Sequence, residues 1–348
     1  MENNKFKIKK VRMYISSFLF CFIIVFTSCQ INNSNFQLIG KTMGTTYSIK
    51  VIDFDSHIIS PNQLQLKIDS VLLSINEQMS TYISDSEISI FNRPSTKSII
   101  PSKEFLSVLQ FSEALANSTS GLFDITVGPL IQLWGFSNYN DEWLPPSEVE
   151  INQLLNHIGT NTWGLVEGEL QKNNPHIQID VNAVAKGLGV DAVSSLITSF
   201  GFSNFMVEIG GEVYCSGKND KNISWQIGIE LPEFESRSLS KIANISDRAM
   251  ATSGDYRNYF SYNGKTYSHI MNPKLGRPIE HSLASAEVIS STCMKADGIA
   301  TALLVMGSND ALSFIESNSG VECLLIERVE NGNFKTFMSS GFGEFLLE

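Results

Sequence analysis

Apolar and polar residues alternate over 44–53, GTTYSIKVID, which predicts a first strand. Ser60-Pro61 opens the next element. Pro fits the first helical position and Ser the cap, and Leu64, Ile68, Val71, Leu72, Ile75 and Met79 follow at helical spacing. A second helix is predicted from Ser102 to about Asn117, and Ser147-Glu148-Val149-Glu150 forms a capping box ahead of INQLLNHIG. HIQIDV (176–181) reads as a short strand, and Asn182 starts a helix that runs to Phe200 and is closed by Gly201. NFMVEI, EVYCSG and SWQIGIEL read as strands punctuated by Gly210-Gly211 and Gly217. KTYSHIM reads as another strand, with a turn at NPKLGRP. Residues 284–291 predict a strand, 295–306 a helix stopped at Gly307, and 321–329 with 334–338 a hairpin around NGN. Strands in consecutive pairs, with helices grouped between them, indicate an α+β fold with antiparallel sheets.

The 348 residues suffice for one large or two ordinary domains, and 43% hydrophobic with 18% charged composition can bury a sizeable core. No internal repeat stands out. The start of the chain follows a different logic. Lys5, Lys7, Lys9, Lys10 and Arg12 form a basic region, Met13 to Phe26 an apolar run, and FTSC ends at Cys29. The run of 14 residues is short of the roughly 18–20 that a spanning helix needs and reads as a signal peptide over 1–28. Small residues before a cysteine resemble a bacterial lipobox, loosely because Phe26 replaces the usual Leu. Cys29 would then carry lipid, residues 29–39 form a polar tether, and 40–348 form the folded domain. An uncleaved signal anchor is the alternative. Removing residues 1–28 takes away five positive charges and one negative, a net four, so the formal charge goes from −11 to −15. A domain this acidic argues against nucleic-acid binding through phosphates and against an anionic membrane surface, so a membrane location would rest on the lipid. Cys215, Cys293 and Cys323 lie far apart without any CxxC or His–Cys cluster, which indicates neither a zinc site nor a disulfide framework.

The helix start KADGIATALL carries Asp297 and Thr301 four apart, so both oxygens share one face. Two readings are open: Asp297 as a cap with Thr301 bonding back to a carbonyl, or the two as a metal pair. Four further segments are dense in Gly and polar residues: KTMGTTY (41–47), GLFDITVGPL (121–130), IDVNAVAKGLGVD (179–191), and MATSGDYRNYF (250–260) running into YSHIMNPKLGRP (267–278). Each has a structural reading as well. Gly44 suits a turn, Asp124 a local cap, Asp180 and Asn182 a cap for the following helix, and His269 a packed strand position. Lys186, early in a helix, opposes the dipole, so a purely structural role predicts it weakly. Together the segments make sense as a diphosphate site: a helix N-terminus, a lysine, and hard oxygen ligands of the kind magnesium prefers. His269 is a proton acceptor suited to neutral pH, and Tyr82, Met43 and Phe123 offer surface for a flat ring. No GxGxxG follows the first strand and there is no P-loop, which excludes a Rossmann site and a P-loop NTPase.

The five segments, in this order, resemble the ApbE family of FAD:protein FMN transferases, from about Gly40 to Gly307. The resemblance implies antiparallel T-fold-like modules and a defined reaction. FAD binds with its diphosphate on Mg²⁺, a Ser or Thr hydroxyl of an acceptor protein attacks the FMN-side phosphorus, and AMP leaves. It implies Asp297 and Thr301 as metal-ligating side chains and Ala183 as the residue whose carbonyl completes the site. Lys186, Asp180, Met43, Tyr82, Leu122, Phe123 and Asp124 resemble FAD contacts, and Met271 a flavin contact. His269, with Asp297 close by, is the candidate catalytic base, and Ser253, Gly254 and Asp255 are expected to line the same pocket. The family's acceptors include membrane subunits of sodium-pumping and electron-transfer complexes, which implies an exported lipoprotein on the bacterial inner membrane facing the periplasm. Gly298 and Ile299 replace a common Ala and Leu, Asn272 a common Asp, and Glu208 and Glu212 a frequent Asn and Asp. Alternatives are an FAD-binding lipoprotein without transfer, and an FAD pyrophosphatase giving FMN and AMP.

Overall fold

The computed structural model describes residues 34–136, 143–233, 238–256 and 258–347. The expected signal peptide, Cys29 and the tether up to residue 33 lie outside the described residues. From residue 34 onward the expected tether is already strand. β1 (Ser34–Thr42) and β2 (Thr45–Phe54) meet at Met43 and Gly44, whose φ values of 48° and 71° suit a two-residue hairpin turn. Helix α1 (Pro61–Met79) begins with the expected capping box. Ser60 Oγ accepts from Gln63 N at 3.3 Å, and Gln63 Oε1 accepts from Ser60 N at 3.3 Å. There follow α2 (Glu87–Asn92), β3 (Ser98–Ile99), α3 (Lys103–Ser118), α4 (Gly128–Leu133) and α5 (Glu148–Leu155), the last on the predicted Ser147–Glu150 box. β4 (Trp163–Val166) and β5 (Glu169–Lys172) join β3 in a three-stranded sheet. Next come α6 (Asn182–Ser199), β6 (Phe205–Ile209), β7 (Glu212–Ser216), β8 (Trp225–Glu230), β9 (Leu239–Ile245) and β10 (Arg248–Gly254). Two short hairpins, β11 (Tyr259–Tyr262) with β12 (Lys265–Ser268) and β13 (Met271–Asn272) with β14 (Arg277–Pro278), lead to β15 (Leu283–Ser290). Helices α7 (Cys293–Met306) and α8 (Ser308–Glu316) and strands β16 (Glu322–Arg328) and β17 (Phe334–Met338) complete the order.

Eight strands form the main sheet in the order β1-β2-β6-β7-β10-β15-β16-β17. The pairings of β2 with β6, β6 with β7, β7 with β10, β10 with β15, β15 with β16 and β16 with β17 are all antiparallel, as the α+β reading expected. Alternation along the strands divides the core. Ala249, Ala251, Ala286 and Val288 face the cluster that contains Val184 and Val190 of α6 and Ala300 and Leu304 of α7. Met250, Ile289 and Leu324 face the other way, onto Trp225 and Phe342. β15 is buried at all eight positions, which explains its continuous small and apolar sequence. A third cluster, Leu130, Trp134, Ile151 and Met271, stands apart from these two.

Two expectations need correction. HIQIDV joins no ladder: His176 lies in a turn, and Val181, at φ −109° and ψ 17°, has left the extended region. Its backbone is served by a side chain and a loop: Asn92 bonds both the N–H and the carbonyl of Ile179, and Asp180 N donates to Ile125 O at 2.7 Å. KTYSHIM breaks at His269-Ile270 into the end of β12 and the start of β13.

Candidate active site

A cavity of about 440 Å³ opens between the N-terminal turns of α6, the middle of α7, the end of β10, the segment 122–125 and the segment 269–271. Its two sides differ in chemistry. Phe123, Ile125, Val127, Ile131 and Met271 make an apolar wall, whereas Asp180, Lys186, Glu212, Asp297 and Thr301 make a polar one.

Asp297 sits within α7, 2% exposed, and is not its cap. Its Oδ2 accepts from the Gly187 N–H at 3.0 Å and its Oδ1 lies 3.7 Å from Lys186 Nζ. The α7 N-terminus is served from another helix: Asp191 accepts from Cys293 N at 2.7 Å and from Met294 N at 2.9 Å. Burial pushes the Asp191 carboxyl up to about 6, against the lowering effect of those two bonds. Thr301 Oγ1 does bond back to the Asp297 carbonyl, at 3.3 Å, and also lies 3.1 Å from Ser253 Oγ. The back-bond expected of Thr301 is therefore present, and its hydroxyl also faces the cavity.

Lys186 is held between two buried carboxylates, 3.4 Å from Glu212 Oε1 and 3.7 Å from Asp297 Oδ1. They account for a cation early in a helix, where the dipole alone disfavours it. The cap position of α6 is Val181, which makes no side-chain cap bond, and Asn182 is already helical; Asp180, one residue before the cap, accepts from Asn182 N at 2.8 Å and Asn182 Nδ2 at 3.2 Å. Asp124 Oδ1 takes Thr126 N at 2.7 Å and Thr126 Oγ1 at 2.5 Å. Desolvation raises both acids above the ordinary Asp value. His269 Nδ1 lies 3.1 Å from the Asn258 carbonyl oxygen. A carbonyl only accepts, so Nδ1 carries the proton and Nε2 is the basic nitrogen of the neutral ring.

The oxygen set fits a small hard cation. The Asp297 carboxylate, the Thr301 hydroxyl and Ala183 line one cavity, and among the described residues no group of three or more His, Cys, Asp or Glu is placed to hold a metal. Such a site draws its remaining ligands from water or phosphate oxygens, which is the habit of magnesium. The Gly187 N–H, the helical counterpart of the Ala183 carbonyl, reaches out to Asp297.

Of the sequence candidates, Leu122, Phe123, Asp124, Asp180, Ala183, Lys186, Ser253, Gly254, His269, Met271, Asp297 and Thr301 all line this cavity. Three do not. Met43 lies in the β1–β2 turn, against a shallow depression lined by 41–46. Tyr82 is 88% exposed beyond α1. Asp255 turns away to a bidentate pair with Arg328, at 2.5 Å and 2.7 Å. Glu212 and Asn258 line the cavity without being among the candidates. Asn258 lies inside the 250–260 segment, and Glu212 was marked only as a departure from the family pattern.

The ApbE family matches this chain over residues 43–325. The chain belongs to the ApbE family. The FAD:protein FMN transferase of Vibrio cholerae is 40% identical to this ApbE-family chain over 325 residues, covering 93% of this chain and 96% of that protein. The FAD:protein FMN transferase of Haemophilus influenzae is 38% identical over 323 residues, covering 90% and 92%. Among solved structures, the flavin transferase ApbE from Vibrio cholerae superposes with a TM-score of 0.82 at 40% identity, covering 90% of this chain and 99% of that one. The apo flavinyl transferase ApbE of Pseudomonas stutzeri gives 0.80 at 31% identity, covering 90% and 96%. The antiparallel α+β architecture and the ordered motifs thus belong to one family.

Proposed function

We propose that this chain is a Mg²⁺-dependent FAD:protein FMN transferase that moves FMN from FAD to a Ser or Thr hydroxyl of an acceptor protein and releases AMP. One observation carries the reading: a basic histidine, a lysine and a hard-oxygen set share one cavity with an apolar wall. Asp297, Thr301 and the Ala183 carbonyl are the residues to hold Mg²⁺. When bound, the ion neutralises diphosphate charge and polarises the phosphorus under attack. Lys186 adds positive charge on the same side, near the positive end of the α6 dipole. Phe123, Ile125, Val127 and Met271 suit the isoalloxazine ring. His269 Nε2 takes the proton of the acceptor hydroxyl. A bond forms between that oxygen and the FMN phosphorus, the bridging phosphorus–oxygen bond breaks, and AMP leaves with the electron pair.

The basic region, the 13–26 apolar run and the FTSC sequence support an exported lipoprotein anchored through Cys29 at the inner membrane, facing the periplasm. Among the described residues no helix is long and apolar enough to cross a membrane. The acceptors are then exported domains of membrane electron-transfer subunits.

The test combines the chain, FAD, Mg²⁺ and a candidate acceptor domain, followed by in-gel flavin fluorescence. A fluorescent band that survives denaturation is expected, and Asp297→Ala or EDTA should remove it. A fully active Asp297→Ala protein would sink the metal assignment. AMP released without acceptor would mark an FAD pyrophosphatase, and FAD retained with no AMP even with acceptor would mark a binding protein.

A further inference from the structure

Helices α6 and α7 meet along matched stripes. On α6 the stripe is Ala183, Gly187 and Asp191; on α7 it is Cys293, Asp297 and Thr301. Each set is spaced by four residues, which puts its members on one helical face. The stripes run in opposite directions. At one end Ala183 and Thr301 both line the cavity. In the middle the Gly187 N–H donates to Asp297 Oδ2 at 3.0 Å. At the other end Asp191 Oδ1 and Oδ2 accept from Cys293 N and Met294 N at 2.7 Å and 2.9 Å.

The first N–H groups of a helix have no partner within it, and Thr292, at the cap position of α7, makes no side-chain cap bond. Asp191 supplies that partner from the neighbouring helix, where its charge also meets the positive end of the α7 dipole. Gly187 sets the separation, since a Cβ there would stand 2.5 Å from the Cys293 carbonyl oxygen. Asp191 itself does not line the cavity and takes no part in the transfer chemistry.

We propose that Asp191 is a positioning residue whose carboxylate pins the start of α7 to α6, and so holds Asp297 and Thr301 in register with Ala183 for a divalent cation. The inference rests on the metal site of the proposed function. The N–H groups belong to the helix that carries the ligating side chains, and the acceptor to the helix that carries the carbonyl. The bond pair therefore fixes the relative position of the two halves of the site. Asp297 is one turn beyond Cys293, so a rotation of the first turn of α7 moves its carboxylate directly.

The test uses the full chain with FAD present and Mn²⁺ as probe, because electron paramagnetic resonance separates free from bound Mn²⁺. Asp191→Ala should weaken Mn²⁺ binding by about tenfold or more, the range for partners that orient metal ligands. Asp191→Asn, which keeps one oxygen acceptor, should fall between. Ser147→Ala, which removes the cap of α5, is the control: it should lower the unfolding temperature and leave Mn²⁺ affinity unchanged. Native Mn²⁺ affinity in folded Asp191→Ala overturns the proposal. If that variant does not fold, native affinity in Asp191→Asn overturns it. A native chain that binds no Mn²⁺ removes the metal assignment itself, a failure distinct from the other two.

Discussion

Replacing Gly187 with Ala inserts a methyl group where α6 and α7 come closest. Its Cβ would stand 2.5 Å from the Cys293 carbonyl oxygen, 2.7 Å from the carbonyl carbon and 2.7 Å from Met294 Cα. All three are backbone atoms, so no rotamer change relieves the contact. Ordinary contact begins at 3.4 Å, so the helices must part by about 0.9 Å along the shortest line. Gly→Ala inside a helix is otherwise favourable by roughly 0.8–1.0 kcal/mol. Overpacking costs about 1–3 kcal/mol, and a weakened bond to the Asp297 carboxylate adds a share of roughly 1.5–3 kcal/mol. The net expectation is a loss of about 1–4 kcal/mol and a fall in unfolding temperature of roughly 2–8 °C. A displacement near 1 Å between Ala183 and the Asp297–Thr301 pair should slow transfer about a hundredfold. Gly189→Ala makes the same change on the same helix, but its Cβ would meet only side-chain ends, Met43 Cε at 3.0 Å and Ile209 Cδ1 at 3.2 Å. Its stability should stay within about 1 kcal/mol of native. The assay pairs thermal unfolding with the rate of acceptor flavinylation at saturating FAD and Mg²⁺. A Gly187→Ala protein as stable and as fast as native would refute the close approach.

Other outcomes follow from the same geometry. Asp255→Asn removes one of the two carboxylate oxygens that Arg328 holds and should cost about 1–3 kcal/mol in urea unfolding while FAD affinity holds; lost FAD binding at native stability would put Asp255 in the pocket after all. Cys215, Cys293 and Cys323 are buried, and burial raises all three thiols, Cys323 to about 12. None of the three should react with iodoacetamide near pH 8 until the chain unfolds, and labelling at any of them in the folded chain, mapped by peptide so that Cys21 and Cys29 are counted apart, would contradict that burial. For Asp191 the folded value of about 6 lies above the ordinary 3.8, so the folded chain binds the proton first as pH falls through this window. That contribution adds stability below pH 6 and is lost on going up through it. The stability deficit of Asp191→Asn should therefore shrink as pH rises; a deficit that grows instead would mean the two N–H bonds outweigh desolvation.

Much of the fold was legible because its signals are local. Ser60 with Gln63, and Ser147 with Glu150, make their caps within three residues, and Gly201 and Gly307 carry positive φ where the helices stop. HIQIDV misled because alternation specifies an extended backbone but not its partner, and that partner is the side chain of Asn92 in place of a strand. β1 opens on polar Ser34 and Asn35 and so resembles a tether, and the small residues of β10, RAMATSG, carry little strand signal. The glycine at 298, a departure from the family's common Ala, has a packing reason that only contact shows: a Cβ there would stand 2.7 Å from the Phe111 ring and 2.9 Å from Val184 Cγ1.

The sequence by itself determined the fold class, the family and most of the candidate residues that line the cavity, because periodicity, caps and ordered motifs are properties of near neighbours in the chain. It also placed Asp297 and Thr301 on one helical face. Only the tertiary structure decided what Asp297 does. Locally it could be read as a cap, yet the cap of α7 is Asp191, 102 residues earlier than Cys293. The structure likewise placed Glu212 beside Lys186 and turned Asp255 toward Arg328. The place of Asp297 depends on the close approach of two helices that the missing Cβ of Gly187 permits, and no local pattern encodes that approach.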